Sequence, residues 1–215
     1  MLRNLLDVKR TQLEMVKDRG YDISDEEDIF EMENEDQMKV FYSEQQVFDI
    51  FTLSKLYFND TENEYTYIYY VHPDVDFVKD VFRKIMIEVI NIRNKFNIEL
   101  KNIIIITTKI DNSNFVKMKT EFANFNFQTF NYDELFVNIT KHSLQPKEVR
   151  KLSEREQKTF LEDSRIKKSQ LPVIKLNDPM SKYYGWKKGD VIKVEDENNI
   201  VPAIVNITIE YYIIL

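Results

Sequence analysis

The 215-residue chain contains no cysteine, three glycines, five prolines, two histidines and one tryptophan. Without cysteine there is no disulfide, no thiolate metal site and no thiol nucleophile, which fits a reducing compartment. Gly20, Gly185 and Gly189 are too few and too scattered for a phosphate-cradling loop, and no G-x-S-x-G occurs. His72 and His142 stand far apart, with no partner at metal-ligand spacing. No apolar run reaches the length of a membrane span, and the first residues form an amphipathic pattern rather than a signal peptide. No catalytic site, cofactor, metal or membrane partner is expected.

Hydrophobic residues make up 43% and charged residues 31%, enough apolar material for one large core or two modest ones. The net charge of −7 is unevenly spread. Residues 1–140 carry 16 Lys and Arg against 26 Asp and Glu; residues 141–215 carry 14 against 11. That shift places a domain boundary near residue 140. The acidic first part argues against autonomous nucleic-acid binding, because phosphate neutralisation needs clustered Lys and Arg.

Leu2, Leu5, Leu6, Lys9, Leu13 and Val16 trace one helical face, and Gly20 supplies the stop. Ser24 with Glu27 has the spacing of a capping box, and the acidic run Asp25 to Asp36 reads as a solvated helix and loop. Val40–Tyr42, Val47–Phe58 and Tyr65–Val71 are rich in aromatic and β-branched residues and are expected to be antiparallel strands. Val78, Phe82, Ile85, Val89, Ile92 and Phe96 mark a helix with a buried stripe. Ile103 to Ile106 fits a strand buried on both faces. A helix capped within Asp111–Ser113 and carrying Phe115, Met118 and Phe122 follows, then a strand over Phe127–Phe130 and a short helix over Tyr132–Leu135. Strand, helix, strand, helix, strand points to crossover units in a mixed sheet.

Beyond residue 141, Ser153 and Glu156 form a second capping box. Asp178 then offers an N-cap carboxylate, Pro179 an N1 proline, and Gly185 a left-handed helix stop. Lys187 to Asp190 reads as a tight turn leading into a strand at Val191–Val194. Two more strands, Val201–Val205 and Ile207–Leu215, follow an acidic turn at Glu195–Asn199, with Pro202 at an edge or bulge.

The string Leu171 to Val194, LPVIKLNDPMSKYYGWKKGDVIKV, resembles the C-terminal signature of the fifth subunit shared by eukaryotic nuclear RNA polymerases, a family that includes its archaeal counterpart. Further matches are Val137–Thr140 with His142, Leu144, Pro146 and Lys147, and Met15–Tyr21 near the start. The resemblance implies an α+β to α/β chain: a mixed-sheet N-terminal jaw with flanking helices over residues 1–140, and a small α+β assembly domain over 141–215. It also implies a non-catalytic transcription subunit. The C-terminal domain would anchor on the largest polymerase subunit, among other subunits, and the jaw would flank downstream DNA, touching it weakly and only within the complex.

Asp178, Pro179, Gly185, Lys187, Gly189, Val191 and Lys193 match the signature. With Tyr183, Tyr184, Trp186, His142 and Pro146 they are the expected assembly residues, Tyr and Trp being favoured interface anchors. Lys109, Asn112, Ser113 and Lys117 are the expected DNA contacts. There the family carries a Thr-Pro-Ser-Ala turn, and this chain reads Asp111-Asn112-Ser113-Asn114. The tail departs from the family as well, with Glu195-Asp196-Glu197 and no glycine after them. A cellular eukaryotic source implies the nucleus; a large DNA virus implies the virion or a cytoplasmic factory. Two other functions compete: an adaptor reusing the same module, and a metal-dependent nuclease built on Glu99, Lys101 and Asp74 or Asp80.

Overall fold

A computed structural model of the chain describes residues 5–43, 48–109, 112–143, 145–146, 148–201 and 204–215. It divides into two compact units, Met1–Asn138 and Ile139–Leu215. Both are mixed α+β, each built on a four-stranded sheet.

In the first unit, α1 (Leu5–Asp18) buries Leu5, Leu6, Lys9, Leu13 and Val16 on one side and stops at Gly20, whose φ is 86°; Leu2 lies outside the described residues. A 3-10 helix, Ser24–Phe30, comes next. Ser24 does not cap it with Glu27. Ile23 occupies the cap position, Asp22 accepts from the Ser24 amide at 2.9 Å, and Glu27 faces Lys17 at 3.5 Å. Nor is the whole acidic run solvated, since Glu26 is 1% exposed.

Val40–Tyr42 is not a strand but lies in α2 (Glu35–Ser43). Asn34 accepts from the amides of Asp36 and Gln37, and Lys39 reaches Glu35 at 3.2 Å one turn earlier. These local bonds outweigh the β preference of three residues. The Val47–Phe58 segment is likewise divided. Asp49 caps a 3-10 turn, Ile50–Leu53, and only Lys55–Asn59 forms a strand, β1; Val47 lies outside the described residues.

The sheet runs β1-β2-β3-β4, with β2 at Glu64–Tyr70, β3 at Leu100–Thr107 and β4 at Asn126–Asn131. The β1–β2 pair is antiparallel; β2–β3 and β3–β4 are parallel. The parallel pairs are bridged by α3 (Lys79–Phe96) and α4 (Asn112–Glu121). Both helices pack on the face bearing Tyr67, Tyr69, Ile103, Ile105 and Phe127. Ile68, Tyr70, Ile104 and Ile106 alternate onto the opposite face and are buried too, which is why residues 103–106 of β3 form an unbroken isoleucine run. Within α3 the central Phe82, Ile85, Met86 and Val89 are buried, each contributing about 1.5–3 kcal/mol. Val78 and Phe96, at the ends of the stripe, are exposed. Asn97 closes α3 in a left-handed conformation. Asp111, read as part of the α4 cap, lies outside the described residues.

In the second unit the sheet order is β5-β7-β8-β6: β5 Glu148–Lys151, β6 Val173–Ile174, β7 Val191–Val201 and β8 Ile204–Ile214. Glu195–Asn199 is not a turn. It continues β7 to Val201, with Asp196 paired to Thr208 and Glu197 to Ile207, and residues 204–205 and 207–214 of the two expected C-terminal strands belong to one strand, β8. Pro202 lies outside the described residues. Helix α5 (Glu154–Ser164) starts at the Ser153–Glu156 capping box and covers Leu152, Val191 and Ile213. Helix α6 (Pro179–Tyr184) lies on the other face, against Ile192 and Ile214.

Candidate assembly surface

Helix α6 has only six residues, too few to hold itself, and its shape is imposed at both ends. Asp178 Oδ1 accepts from the Met180 amide at 2.9 Å, and Pro179 fills N1 without wasting a donor. At the far end Gly185 turns left-handed (φ 68°). Its amide donates to Lys182 at 3.3 Å, and that of Trp186 to Ser181 at 3.0 Å, a Schellman closure.

The chain then makes a turn held by Asp190. The Lys187 amide donates to Asp190 Oδ2 at 2.7 Å, and the Asp190 amide returns to Lys187 O at 3.0 Å. Lys151 lies 3.2 Å from the other carboxylate oxygen. Gly189, with φ 91°, donates to Ile214 O at 2.9 Å and accepts from Lys168 Nζ at 3.0 Å. The turn is thereby sewn to the middle of the sheet.

The expected assembly residues fall into two kinds. Tyr183 (3% exposed), Trp186 (7%) and Val191 (0%) face inward and hold the unit together. Trp186 stacks on Tyr184 at 5.1 Å with planes 12° apart, and packs on Ile192 and Ile214. The expectation that Trp186 and Tyr183 are surface anchors is therefore corrected: as apolar bodies beside a small sheet, they are consumed by its core. Pro179, Lys187 and His142 are exposed; Asp178, Tyr184, Gly185, Gly189, Lys193 and Pro146 are half-buried. Lys193 pairs with Glu195. His142 and Pro146 lie in the segment before β5, where the Gln145 amide donates to His142 O at 2.8 Å.

Sequence reasoning missed an exposed apolar group beside α6. Val173 (51% exposed), Leu176 (49%) and Leu215 (52%) lie along the β6 edge, where the Leu176 amide donates to Leu215 O at 3.0 Å. Lys175, Leu176, Asn177 and Leu215 line a shallow depression of about 440 Å³ there. The only signal was the apolar spacing in LPVIKL, which reads equally well as a buried strand.

The expected DNA contacts belong to the first unit. Lys109 is exposed just after β3, Asn112 and Ser113 open α4, and Lys117 is exposed on it. The nuclease candidates do not converge. Glu99 and Lys101 form an exposed pair at 2.6 Å that holds Glu99 below the usual carboxylate range. Asp80 turns to Arg83 at 3.6 Å and Asp74 to His72 at 3.8 Å. Among the described residues no group of three or more His, Asp or Glu could hold a metal ion.

Residues 137–206, spanning the whole of α6, the turn and most of the C-terminal sheet, match the family described as RNA polymerase Rpb5, C-terminal domain. Over those residues the chain is similar to the Rpb5 family. Three relatives extend the likeness beyond that domain. Subunit 5B of DNA-directed RNA polymerases IV and V from Arabidopsis thaliana is 29% identical over 187 residues, 86% of this chain and 80% of the relative. Subunit 5A of polymerase V from the same plant is 28% identical over the same span, with 78% of its length covered. Subunit rpabc1 of DNA-directed RNA polymerases I, II and III from Dictyostelium discoideum is 29% identical over 197 residues, 90% of each chain. The likeness to these polymerase subunits thus runs through both units, and in the second the family match includes the residues that shape α6 and its turn.

Proposed function

We propose that this chain is a non-catalytic structural subunit of a multisubunit DNA-directed RNA polymerase. The observation that carries this is the joint match: a family domain over residues 137–206 and polymerase subunits aligned along 86–90% of the chain. The second unit is the anchor on the largest subunit. Its buried Tyr183 and Trp186 keep α6 and the turn rigid, while Pro179, Lys187, Lys188 and the apolar Val173–Leu176–Leu215 edge face outward for contact. A rigid, prefolded surface loses little freedom on docking, which favours affinity. The first unit is the jaw beside downstream DNA. Its excess of 26 Asp and Glu over 16 Lys and Arg through residue 140 keeps any DNA contact local, at Lys109, Asn112, Ser113 and Lys117. In a cellular eukaryote the matching compartment is the nucleus.

The test is copurification from the native source through a tag on this chain. Recovery in equal stoichiometry with two very large polypeptides is the expected result; recovery without them would overturn the assignment. Cleavage of nucleic acid by the isolated chain with magnesium or manganese, abolished by Glu99→Ala, would favour the nuclease instead.

A further inference from the structure

Lys9 is completely buried, and Glu26 lies beside it. Lys9 Nζ is 3.0 Å from Glu26 Oε1 and donates to Gln12 Oε1 at 2.8 Å and to the Tyr57 hydroxyl at 3.0 Å. The carbonyl of Leu53 is 3.5 Å away. Three rings surround the ammonium: Tyr42 at 5.4 Å, and Tyr57 and Tyr70 each at 5.7 Å. Glu26 in turn accepts from Tyr57 at 2.7 Å and from Tyr42, and Lys55 stands 3.5 Å from its second oxygen. Tyr70 donates to Gln12 at 3.1 Å.

The elements contributing these groups matter. Lys9 and Gln12 come from α1, Tyr57 and Lys55 from β1, and Tyr70 from β2, all bound to the sheet. Glu26 and Tyr42 come from residues 22–43, the 3-10 helix and α2, which lie over α1. Glu26 is thus the only charge by which that segment answers the buried ammonium. Ile29 and Met38 plug the same segment inward, and Arg10 reaches the carbonyls of Ile29, Phe30 and Met32.

We propose that the Lys9–Glu26 pair is an acid-sensitive latch: protonating Glu26 leaves the caged ammonium without a counter-charge, and residues 22–43 lift off α1 and β1 as a unit while the sheet stays closed. Burial alone would raise the Glu26 pKa, but the Lys9 charge and the hydroxyls of Tyr42 and Tyr57 hold it below the ordinary 4.5. Burial lowers that of Lys9 against the pull of Glu26. The Glu26 contribution to stability is therefore complete above about pH 4.5 and is lost as pH falls through the depressed folded value. Burial raises the pKa values of Tyr42, Tyr57 and Tyr70, so none of them ionises in acid. Lys55 faces Glu26 from β1 and is itself 3.5 Å from Asp25.

The arrangement is asymmetric. Removing the carboxylate strands an ammonium with no exposure to water, whereas removing the ammonium leaves Glu26 with Lys55 and two hydroxyls. Amide hydrogen exchange on the full chain at pH 7 separates the cases. Glu26→Gln should speed exchange across 22–43 at least tenfold and leave 103–106 protected. Lys9→Met should do so severalfold less, and Lys9→Met with Glu26→Gln should recover protection relative to Glu26→Gln alone. In the unaltered chain, lowering the pH below 4 should open 22–43 before 103–106. The latch is overturned if Glu26→Gln exchanges like the parent, if 22–43 and 103–106 lose protection together, if Lys9→Met matches Glu26→Gln, or if the double variant shows no recovery.

Discussion

The rings of Phe160 and Tyr211 stack at 3.8 Å with planes 22° apart, joining α5 to β8 over one face of the C-terminal sheet. Both are only partly buried, so the stack is also the open end of that core. Tyr211→Ala removes it and should destabilise the unit by about 2 kcal/mol, less than a fully buried aromatic and more than a surface change. Tyr211→Phe should stay within about 0.5 kcal/mol of the parent. Urea unfolding followed by circular dichroism reads both. An unchanged midpoint for Tyr211→Ala would show that the stack contributes nothing.

Glu156 should titrate far below its neighbours. The Arg150 guanidinium donates to it at 2.9 Å, and the Ser153 amide and hydroxyl each donate at 2.8 Å, holding its carboxyl at about 2 rather than 4.5. Its share of stability is present above about pH 4.5 and disappears as pH falls through about 2. A carboxyl-carbon NMR titration should find that value, and Arg150→Met should move it toward 4.5. A titration that ignores Arg150→Met would assign the whole effect to the capping serine.

Gly185→Val tests the shape of α6. A β-branched side chain at φ 68° costs about 1–2 kcal/mol and opens the closure between Trp186 and Ser181. Incorporation into polymerase should fall in a quantitative pull-down, while removal of residues 1–138 should leave binding to the largest subunit largely intact. Should the glycine variant assemble normally and the truncated chain fail, the roles of anchor and jaw are reversed.

A fragment of residues 139–215 should fold alone, because both of its core clusters draw every member from within that span. Dispersed amide signals and one cooperative melt are the expected outcome. A collapsed spectrum would mean that the unit depends on the rest of the chain.

The sequence made α3, the β3 isoleucine run and the Asp178–Gly185 helix legible because each is fixed locally, by a 3.6-residue stripe, by uniform apolarity, or by residues that demand one backbone conformation. What it hid was settled by tertiary contact. Val40–Tyr42 carries β propensity, yet α2 forms because Met38 on it is fully buried and Asn34 caps it. Glu195 to Glu197 looks like a turn, yet a partner strand lies opposite each of these residues. Lys9 stands out in the sequence as the polar member of an apolar helical face and Glu26 as part of an acidic run; only the fold shows that the two pair. The assembly residues divide the same way. The signature is visible in the string, but which side chains stay outside depends on a sheet that Trp186 must cover.

The order of strands also sets an order in time. Strand β8 lies between β7 and β6, and both core clusters of the second unit include a residue from it, Ile213 in one and Ile214 in the other. On the ribosome the first unit has its four strands once Asn131 has emerged. The second must wait for residues 204–214, the last of its strands to be made. At about 5–20 residues per second that is a delay of several seconds. Only its last part concerns the core of this unit: between the making of Ile192 and that of β8, Trp186 and Ile192 lack Ile214 and Val191 lacks Ile213, so an apolar face stays open during synthesis.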